Sequence, residues 1–331
     1  MNDYWKGRRV LVTGAGGFIG SHLVERLLDL GAGVTAFVRY NAAGSRGLLE
    51  GLPLPDAERV RFIDGDLLDA QAAEQAADGQ DIIFHLAAII AIPFSYQHPS
   101  LVASNNYLST LNILQAARRG RAARFIQTSS SEVYGTALRA PIDENHPLQA
   151  QSPYAASKIA CDKLAQSFHL SYGLPVVTLR PFNTYGPRQS ARAIIPTIIT
   201  QALTQKKVFL GAMHPARDFN FVSDTVEAFI RIGETPGIEG RVYNAGSGKE
   251  ITIGELADRI ISLIGGDVPV IFDAGRIRPA TSEVGRLIAD SRRACEELGW
   301  TPAVSLDDGL RATIGWIGHN THIYKPGSYA I

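Results

Sequence analysis

The chain has 331 residues, 45% hydrophobic and 19% charged, with 32 basic and 32 acidic side chains. That length suits one large domain or two sharing a core, and the balanced charge leaves no global field to attract nucleic acid or an anionic membrane; an anionic partner must be held by local charge. Cys161 and Cys295 are the only cysteines, with no CxxC or Cys/His spacing, so neither a disulfide framework nor a bound metal is expected, and a cytoplasmic setting is.

The N-terminal MNDYWKGRRV has no signal-like apolar segment, and the longest nearly apolar run, Ile82 to Ile92, is broken by His85 and too short to span a bilayer. Arg9 to Thr13 (RVLVT) reads as a buried parallel strand. GAGGFIG follows, with Gly14, Gly17 and Gly20, and then a helix pattern with Leu23, Leu27, Leu28 and Leu30 that stops at Gly31. Strand, glycine turn and helix is the context of a pyrophosphate-binding turn, in which Phe18 and Ile19 open the helix over the cofactor.

The next strand, Val34 to Val38, ends in Arg39-Tyr40-Asn41 with no carboxylate to accept bonds from an adenosine ribose. Arg39 suits a 2′-phosphate through charge-assisted bonds, which favours NADP, with NAD the other reading if Arg39 is only a solvated charge. VRFIDGDLLD places Asp66 and Leu67 after a strand, where an adenine contact is expected. DIIFHLAA ends in Leu86, Ala87 and Ala88, small enough for close backbone approach to the cofactor. A helix pattern is taken to begin at Asn106, and ARFIQTSS is the next strand. This alternation implies an α/β fold with a Rossmann-type doubly wound parallel sheet and ligands at the strand C-terminal ends.

TSSSEVYG ends that strand, and in SPYAASK the residues Tyr154 and Lys158 stand four apart, on one face of a helix. A free phenol titrates near ~10, and an ammonium ~5 Å away at an effective dielectric of ~20 favours its anion by roughly 3 kcal/mol. Ser130 can hold a substrate hydroxyl while Tyr154 takes its proton; that set oxidises an alcohol or reduces a ketone. Glu132 adds something: beside a C4 ketone the C5 proton is acidic, and a carboxylate can remove it. The plainer reading of Glu132 is a turn cap or a partner for an arginine.

TGAGGFIG, GDLLD, HLAA, SSSEVYG, SPYAASK and RPFNTYGPRQ, in that order, resemble the extended short-chain dehydrogenases/reductases, the nucleotide-sugar epimerases and dehydratases; RDFNFVSD and RPATSEVGRL carry the likeness to about residue 290. The resemblance implies a dinucleotide domain over residues 1–180 with a return segment near 218–245. A smaller nucleotide-sugar domain is implied over 181–217 and 246–331. It also implies Asn183, Arg188, Arg192, Arg217 and Arg278 as ligands of the sugar nucleotide, with Ser131 facing the sugar. One branch of dehydratases has Thr-Asp-Glu where this chain reads Ser130-Ser131-Glu132, its Asp the acid for the departing hydroxyl. The branch acting on GDP-mannose has Thr-Ser-Glu and uses NADP. QSPYAASKIACDKLAQSF and RPFNTYGPRQSARAIIPTIITQ are similar to the dehydratases of legionaminic acid biosynthesis, which act on GDP- or UDP-linked N-acetylglucosamine. The implied activity is a 4,6-dehydration, with a 4-epimerase and a dinucleotide-sensing binding protein as alternatives. A homodimer through residues 100–118 and 153–171 is the family's habit. His169 and His214 have no partner pattern.

Overall fold

The computed structural model describes residues 3–279 and 281–324; residues 1–2, residue 280 and residues 325–331, the end of the expected C-terminal unit, lie outside it. Seven strands form the large sheet: β1 (Arg9–Thr13), β2 (Gly33–Arg39), β3 (Arg61–Gly65), β4 (Ile82–His85), β5 (Arg124–Thr128), β6 (Val176–Pro181) and, after a long excursion, β10 (Val242–Ala245). Their order is β10-β6-β5-β4-β1-β2-β3, with every pair parallel. β1, β2, β4 and β5 are buried along most of their length and mainly apolar, as a sheet covered on both faces requires. All end at one edge, and the order reverses between β1 and β4, which opens a crevice there.

The excursion builds a second unit from β7 (Asn183–Tyr185), β8 (Val208–Leu210), β9 (Ala216–Phe221), β11 (Glu250–Thr252), β12 (Val270–Phe272) and β13 (Arg286–Leu287). β9 pairs with β7, β11 and β13, and β8 pairs with β12. The helices are α1 (Phe18–Asp29), α2 (Leu54–Glu58), α3 (Ala70–Ala77), α4 (Ile92–Gln97), α5 (Pro99–Arg119), α6 (Pro153–Tyr172), α7 (Ile194–Gln205), α8 (Val222–Glu234), α9 (Ile253–Ile264), α10 (Arg292–Leu298) and α11 (Leu306–His319). α1, α8 and α10 cover one face of the large sheet, with Leu23, Leu27, Phe229 and Leu298 in one core cluster. On the other face Ile113, Leu114 and Phe168 from α5 and α6 pack with Phe125 and Val176. α7, α9 and α11 bury Ile198, Leu256 and Ile317 in the smaller unit.

Two expectations shift. The helix taken to begin at Asn106 begins at Pro99, because proline fits the first turn, where its missing N–H costs nothing. The return segment expected from residue 218 begins at Val222: residues 218–221 complete β9 of the smaller sheet, and α8 is the first element back on the large one. Beyond residue 246 the chain also returns once more, as α10 and Trp300, to the large core.

Trp5, fully buried, closes the N-terminal side of this arrangement. It packs on Phe84, and its indole N–H donates to Glu234 at the end of α8 at 2.5 Å. Replacing Trp5 with Ala opens a cavity under α8 and is expected to lower stability by about 3–5 kcal/mol, read as a shift of the urea unfolding midpoint.

Candidate active site

A cleft of about 890 Å³ runs along the C-terminal edge of the large sheet and on into the smaller unit. Gly14, Gly17, Phe18, Ile19 and Gly20 form its floor at the start of α1. The sequence demands glycine here for steric reasons: Gly14 has φ +68°, and a Cβ on it would lie 2.9 Å from the Ala87 backbone nitrogen. A Cβ on Gly20 would meet the Gly14 carbonyl. The turn therefore closes tightly enough to leave the first amides of α1 facing the cleft, the arrangement that holds a pyrophosphate. Leu86, Ala87 and Ala88 form the next wall, with the Ala87 N–H held by Thr13 Oγ1 at 3.2 Å. These residues fit a dinucleotide.

At the far end of this half, Arg39, Asn41, Ser45 and Arg46 line the cleft. Arg39 stands 3.5 Å from Asp66, and both are substantially exposed. Asp66 and Leu67, expected against the adenine, do not line the cleft. Asp66 is turned to Arg39 and to the Leu68 N–H, and Leu67 is buried with Phe37 and Ile113, where its apolar side chain is better accommodated. Asn41, Ser45 and Arg46 were missed in the sequence because a short polar loop carries no periodic signal.

In the middle of the cleft, α6 presents Tyr154 and Lys158, both buried, to the end of β5. Ser152 caps α6 by accepting the Ala155 N–H, and Pro153 starts it, so the first turn, with Tyr154, is anchored. Lys158 Nζ donates to the Thr128 carbonyl at 2.5 Å. Ser130 stands close enough to the Tyr154 hydroxyl to favour its anion, and its Oγ accepts the Glu132 N–H at 3.2 Å and so caps a 3-10 turn, Ser131–Tyr134. That turn brings the half-buried Glu132 and the buried Ser131 into the cleft wall. Glu132 is close enough to Tyr154 and to Arg217 to act on the charge of both.

Burial pushes the Tyr154 phenol well above its ordinary value; its nearness to Ser130 works the other way, and Glu132 adds to the rise. Burial likewise lowers Lys158, with Cys161 and Asp162 opposing. The expected lowering of Tyr154 by Lys158 does not emerge in the protein alone: desolvation of the phenolate dominates, and the ammonium is itself desolvated. The arrangement can take a proton from a bound hydroxyl once further positive charge enters the cleft.

Asn106, unremarked in the sequence beyond its helix, is a clamp. It exchanges hydrogen bonds with the Ile89 backbone at 2.8 and 3.0 Å and donates to Ser157 at 3.0 Å, tying the loop after β4 to α6. A polar residue on the inner face of an amphipathic helix was the available signal.

In the smaller unit Asn183, Arg192, Arg217 and Arg278 line the cleft. Between the last two stands Glu283, 3.2 Å from Arg217 and 3.7 Å from Arg278, a carboxylate that sequence reasoning missed. Burial lowers Arg217, and Glu132 and Glu283 counter it. Arg188 is not in the cleft wall: its guanidinium is taken by Glu25 of α1 at 2.6 and 2.9 Å. A cation next in sequence to the cleft-lining Gln189 is drawn instead to a carboxylate on α1. His169 holds the Leu174 carbonyl at 2.9 Å, and His214 is exposed.

The sequence profile of the GDP-mannose 4,6 dehydratase family matches residues 11–313. The chain belongs to that family. It is thus an enzyme of the extended short-chain dehydrogenases/reductases that comprise nucleotide-sugar 4,6-dehydratases and 4-epimerases. It is 37% identical over 325 residues to a dTDP-glucose 4,6-dehydratase of Streptomyces griseus, covering 96% of each chain. Among solved structures it resembles the dTDP-glucose 4,6-dehydratase of Streptomyces venezuelae with NAD and TYD bound (TM-score 0.87, 32% identity, 96% of this chain and 99% of that one). It also resembles a UDP-N-acetylglucosamine 4-epimerase of Methanobrevibacter ruminantium M1 in complex with UDP-N-acetylmuramic acid (TM-score 0.86, 32% identity, 95% and 99%). No helix among the described residues is long and apolar enough to cross a membrane, and no group of metal-ligating side chains occurs among them.

One titration tests the interior behind the cleft. His85 is enclosed by Thr13 and Thr110 at 2.9 and 3.1 Å, and burial, then Lys158, lowers its pKa from 6.5 to about 3. The folded protein keeps His85 neutral while the unfolded chain protonates, so its contribution to stability is full above pH 6.5 and is lost as pH falls toward about 3. The loss runs at about 1.4 kcal/mol per pH unit. A His85→Asn protein is expected to show a flatter stability profile between pH 6.5 and 4 than wild type in urea unfolding, whatever its absolute stability.

Proposed function

We propose that this enzyme is a nucleotide-sugar 4,6-dehydratase acting on GDP- or UDP-N-acetylglucosamine. The observation that supports it most is Glu132, a carboxylate in the cleft wall between Tyr154 and Arg217. In this reading Ser130 holds the substrate's C4 hydroxyl and Tyr154 takes its proton. Lys158, fixed on the Thr128 carbonyl, would stabilise the tyrosinate that Tyr154 must become before it can take that proton. Glu132 then removes the C5 proton, acidified by the C4 ketone, and returns it to the departing C6 oxygen, which leaves as water. Ser131, where one dehydratase branch has an acid, carries no proton of the right strength, so Glu132 serves as both base and acid. A nicotinamide dinucleotide bound in the cleft would supply a reversible hydride store between C4 and C6, and positive charge in its oxidised form. Glu132, having given up that proton, takes another from solvent and delivers it to C5 as the hydride arrives at C6, so the atoms balance as loss of one water with no net oxidation.

Gly14, Gly17, Gly20, Phe18, Ile19, Arg39 and Leu86 to Ala88 would hold the dinucleotide, and Asn183, Arg192, Arg217 and Arg278 the diphosphate of the sugar nucleotide, since arginine forks match phosphate oxygens. NADP is favoured by Arg39, Asn41, Ser45 and Arg46, donors at and just after the end of β2 that line the cleft with no carboxylate beside them in its wall, although Asp66 stands behind Arg39. The N-acetylglucosamine assignment rests on sequence resemblance. A homodimer through α5 and α6 is supported by Leu101, Leu108, Leu170 and Tyr172, which remain exposed there, whereas Leu114 and Phe168 are core. The epimerase reading leaves Glu132 without work.

Incubation with a panel of nucleotide sugars in heavy water, followed by mass spectrometry, is expected to give a product lighter by one water with deuterium at C5. Glu132→Gln is expected to lower that activity by about 10²-fold or more; an isomerised sugar of unchanged mass, formed equally by the variant, means an epimerase. Nucleotide extracted from the purified protein is expected to be NADP rather than NAD, and Arg39→Asp to reverse that preference in a binding titration.

A further inference from the structure

We infer that Arg188 is a positioning residue: paired with Glu25, it clasps the loop over residues 186–193 to α1 and so sets Gln189, Ser190 and Arg192 in the sugar-nucleotide half of the cleft. The inference rests on reading that half as a sugar-nucleotide site.

Three non-glycine residues among those described have positive φ: Arg121, Arg188 and Lys206. Lys206 caps the end of α7 and Arg121 follows the cap of α5, where the left-handed conformation is routine. Arg188 ends no helix, yet holds φ +70°, a conformation costing about 1–2 kcal/mol in a residue with a Cβ. Strain of this kind persists only where surrounding contacts enforce it.

Those contacts come mainly from one face of α1. Glu25 receives both guanidinium nitrogens of Arg188, at 2.9 and 2.6 Å, and Ser21 receives a third bond at 3.3 Å. His22, one turn before Arg26, holds the Pro187 carbonyl through Nε2 at 3.0 Å. Phe18, which lines the cleft, packs edge-on against His22 at 5.8 Å. The loop is pinned from its other side as well, with Gln189 donating to the Thr184 carbonyl at 2.7 Å and Tyr324 donating to the Gln189 carbonyl at 2.8 Å.

The ion pair is mostly buried, with 19% and 29% of the two side chains exposed, and it is bidentate, the geometry in which such pairs contribute most. Neither Arg188 nor Glu25 lines the cleft, while Gln189, Ser190 and Arg192 do. The strained residue and its clasp thus aim their neighbours rather than touch a ligand. They do so from the helix whose first turn forms the dinucleotide floor, so one element registers both halves of the cleft.

The test compares Glu25→Gln, Arg188→Gly and the charge swap Glu25→Arg with Arg188→Glu. GDP- and UDP-N-acetylglucosamine are titrated calorimetrically, and KM and kcat are measured for whichever is turned over. Each single variant is expected to weaken binding and raise KM about tenfold with kcat within about twofold, and the swap to recover most of the loss. Arg188→Gly relaxes the backbone, so a loss there belongs to the guanidinium. If Arg188 instead contacts substrate, Glu25→Gln frees it and binding tightens or stays the same, and the swap recovers nothing; either result overturns the inference. Amide hydrogen exchange across residues 186–193 needs no substrate and is expected to quicken in Glu25→Gln. Unchanged exchange there overturns the clasp whatever the enzyme acts on, whereas a wild type that binds neither sugar nucleotide but shows quickened exchange in the variant supports the clasp and counts only against the functional reading.

Discussion

A buried ion pair between Asp162 and Arg180 holds the cleft's central wall in register. α6 carries Tyr154, Lys158 and Asp162 four residues apart, hence along one face. Asp162 Oδ2 accepts from Ser129 at 2.8 Å and from Arg180 Nε and Nη2 at 3.1 and 3.0 Å. Arg180 in turn donates to the Tyr134 hydroxyl at 2.8 Å, and Tyr134 donates to Asn244 at 2.7 Å. The chain of bonds thus joins α6, the ends of β5 and β6, the turn that bears Glu132, and β10. With side chains only 4–5% exposed, neither charge has water to fall back on, and loss of one would strand the other at a cost of about 3–5 kcal/mol. Register between Tyr154 and Ser130 follows from this pairing.

Beside that pair, burial opposes ionisation in three of the groups that the chemistry would use. It raises Tyr154 and lowers Lys158 and Arg217. A site in this condition is electrostatically incomplete without ligands: it holds a phenol that resists losing its proton and cations that favour an anion beside them. Glu283 partly answers the need of Arg217 and Arg278. On the proposed reading a diphosphate entering there would compete with that carboxylate, which stands 3.2 and 3.7 Å from the two guanidinium groups and orders them beforehand. Preorganisation of this kind favours selectivity over raw affinity.

Much of this was legible beforehand. The strand–turn–helix at residues 9–29 is a local object: apolar run, steric glycines and helical spacing all lie within twenty residues, and the parallel sheet follows from repetition of that unit. Tyr154 and Lys158 were legible because a helix converts a spacing of four into proximity. Asp66, Leu67 and Arg188 stand outside the cleft wall because their partners, Arg39, the α3–α5 core and Glu25, are distant in sequence or compete with the cleft for the same side chain. Glu283 and Asn106 went unnoticed for the same reason: a lone polar residue declares nothing until the chain folds around it.

The division follows the range of the forces. Backbone sterics, hydrophobic periodicity and helix geometry act over a few residues, so the sequence by itself determined the doubly wound sheet, the glycine turn and the Tyr154/Lys158 face. Desolvation and ion pairing depend on which segments meet. Only the tertiary structure decided that Tyr154 is held as a neutral phenol, that Glu132 faces Arg217, and that Arg188 serves α1 rather than the cleft.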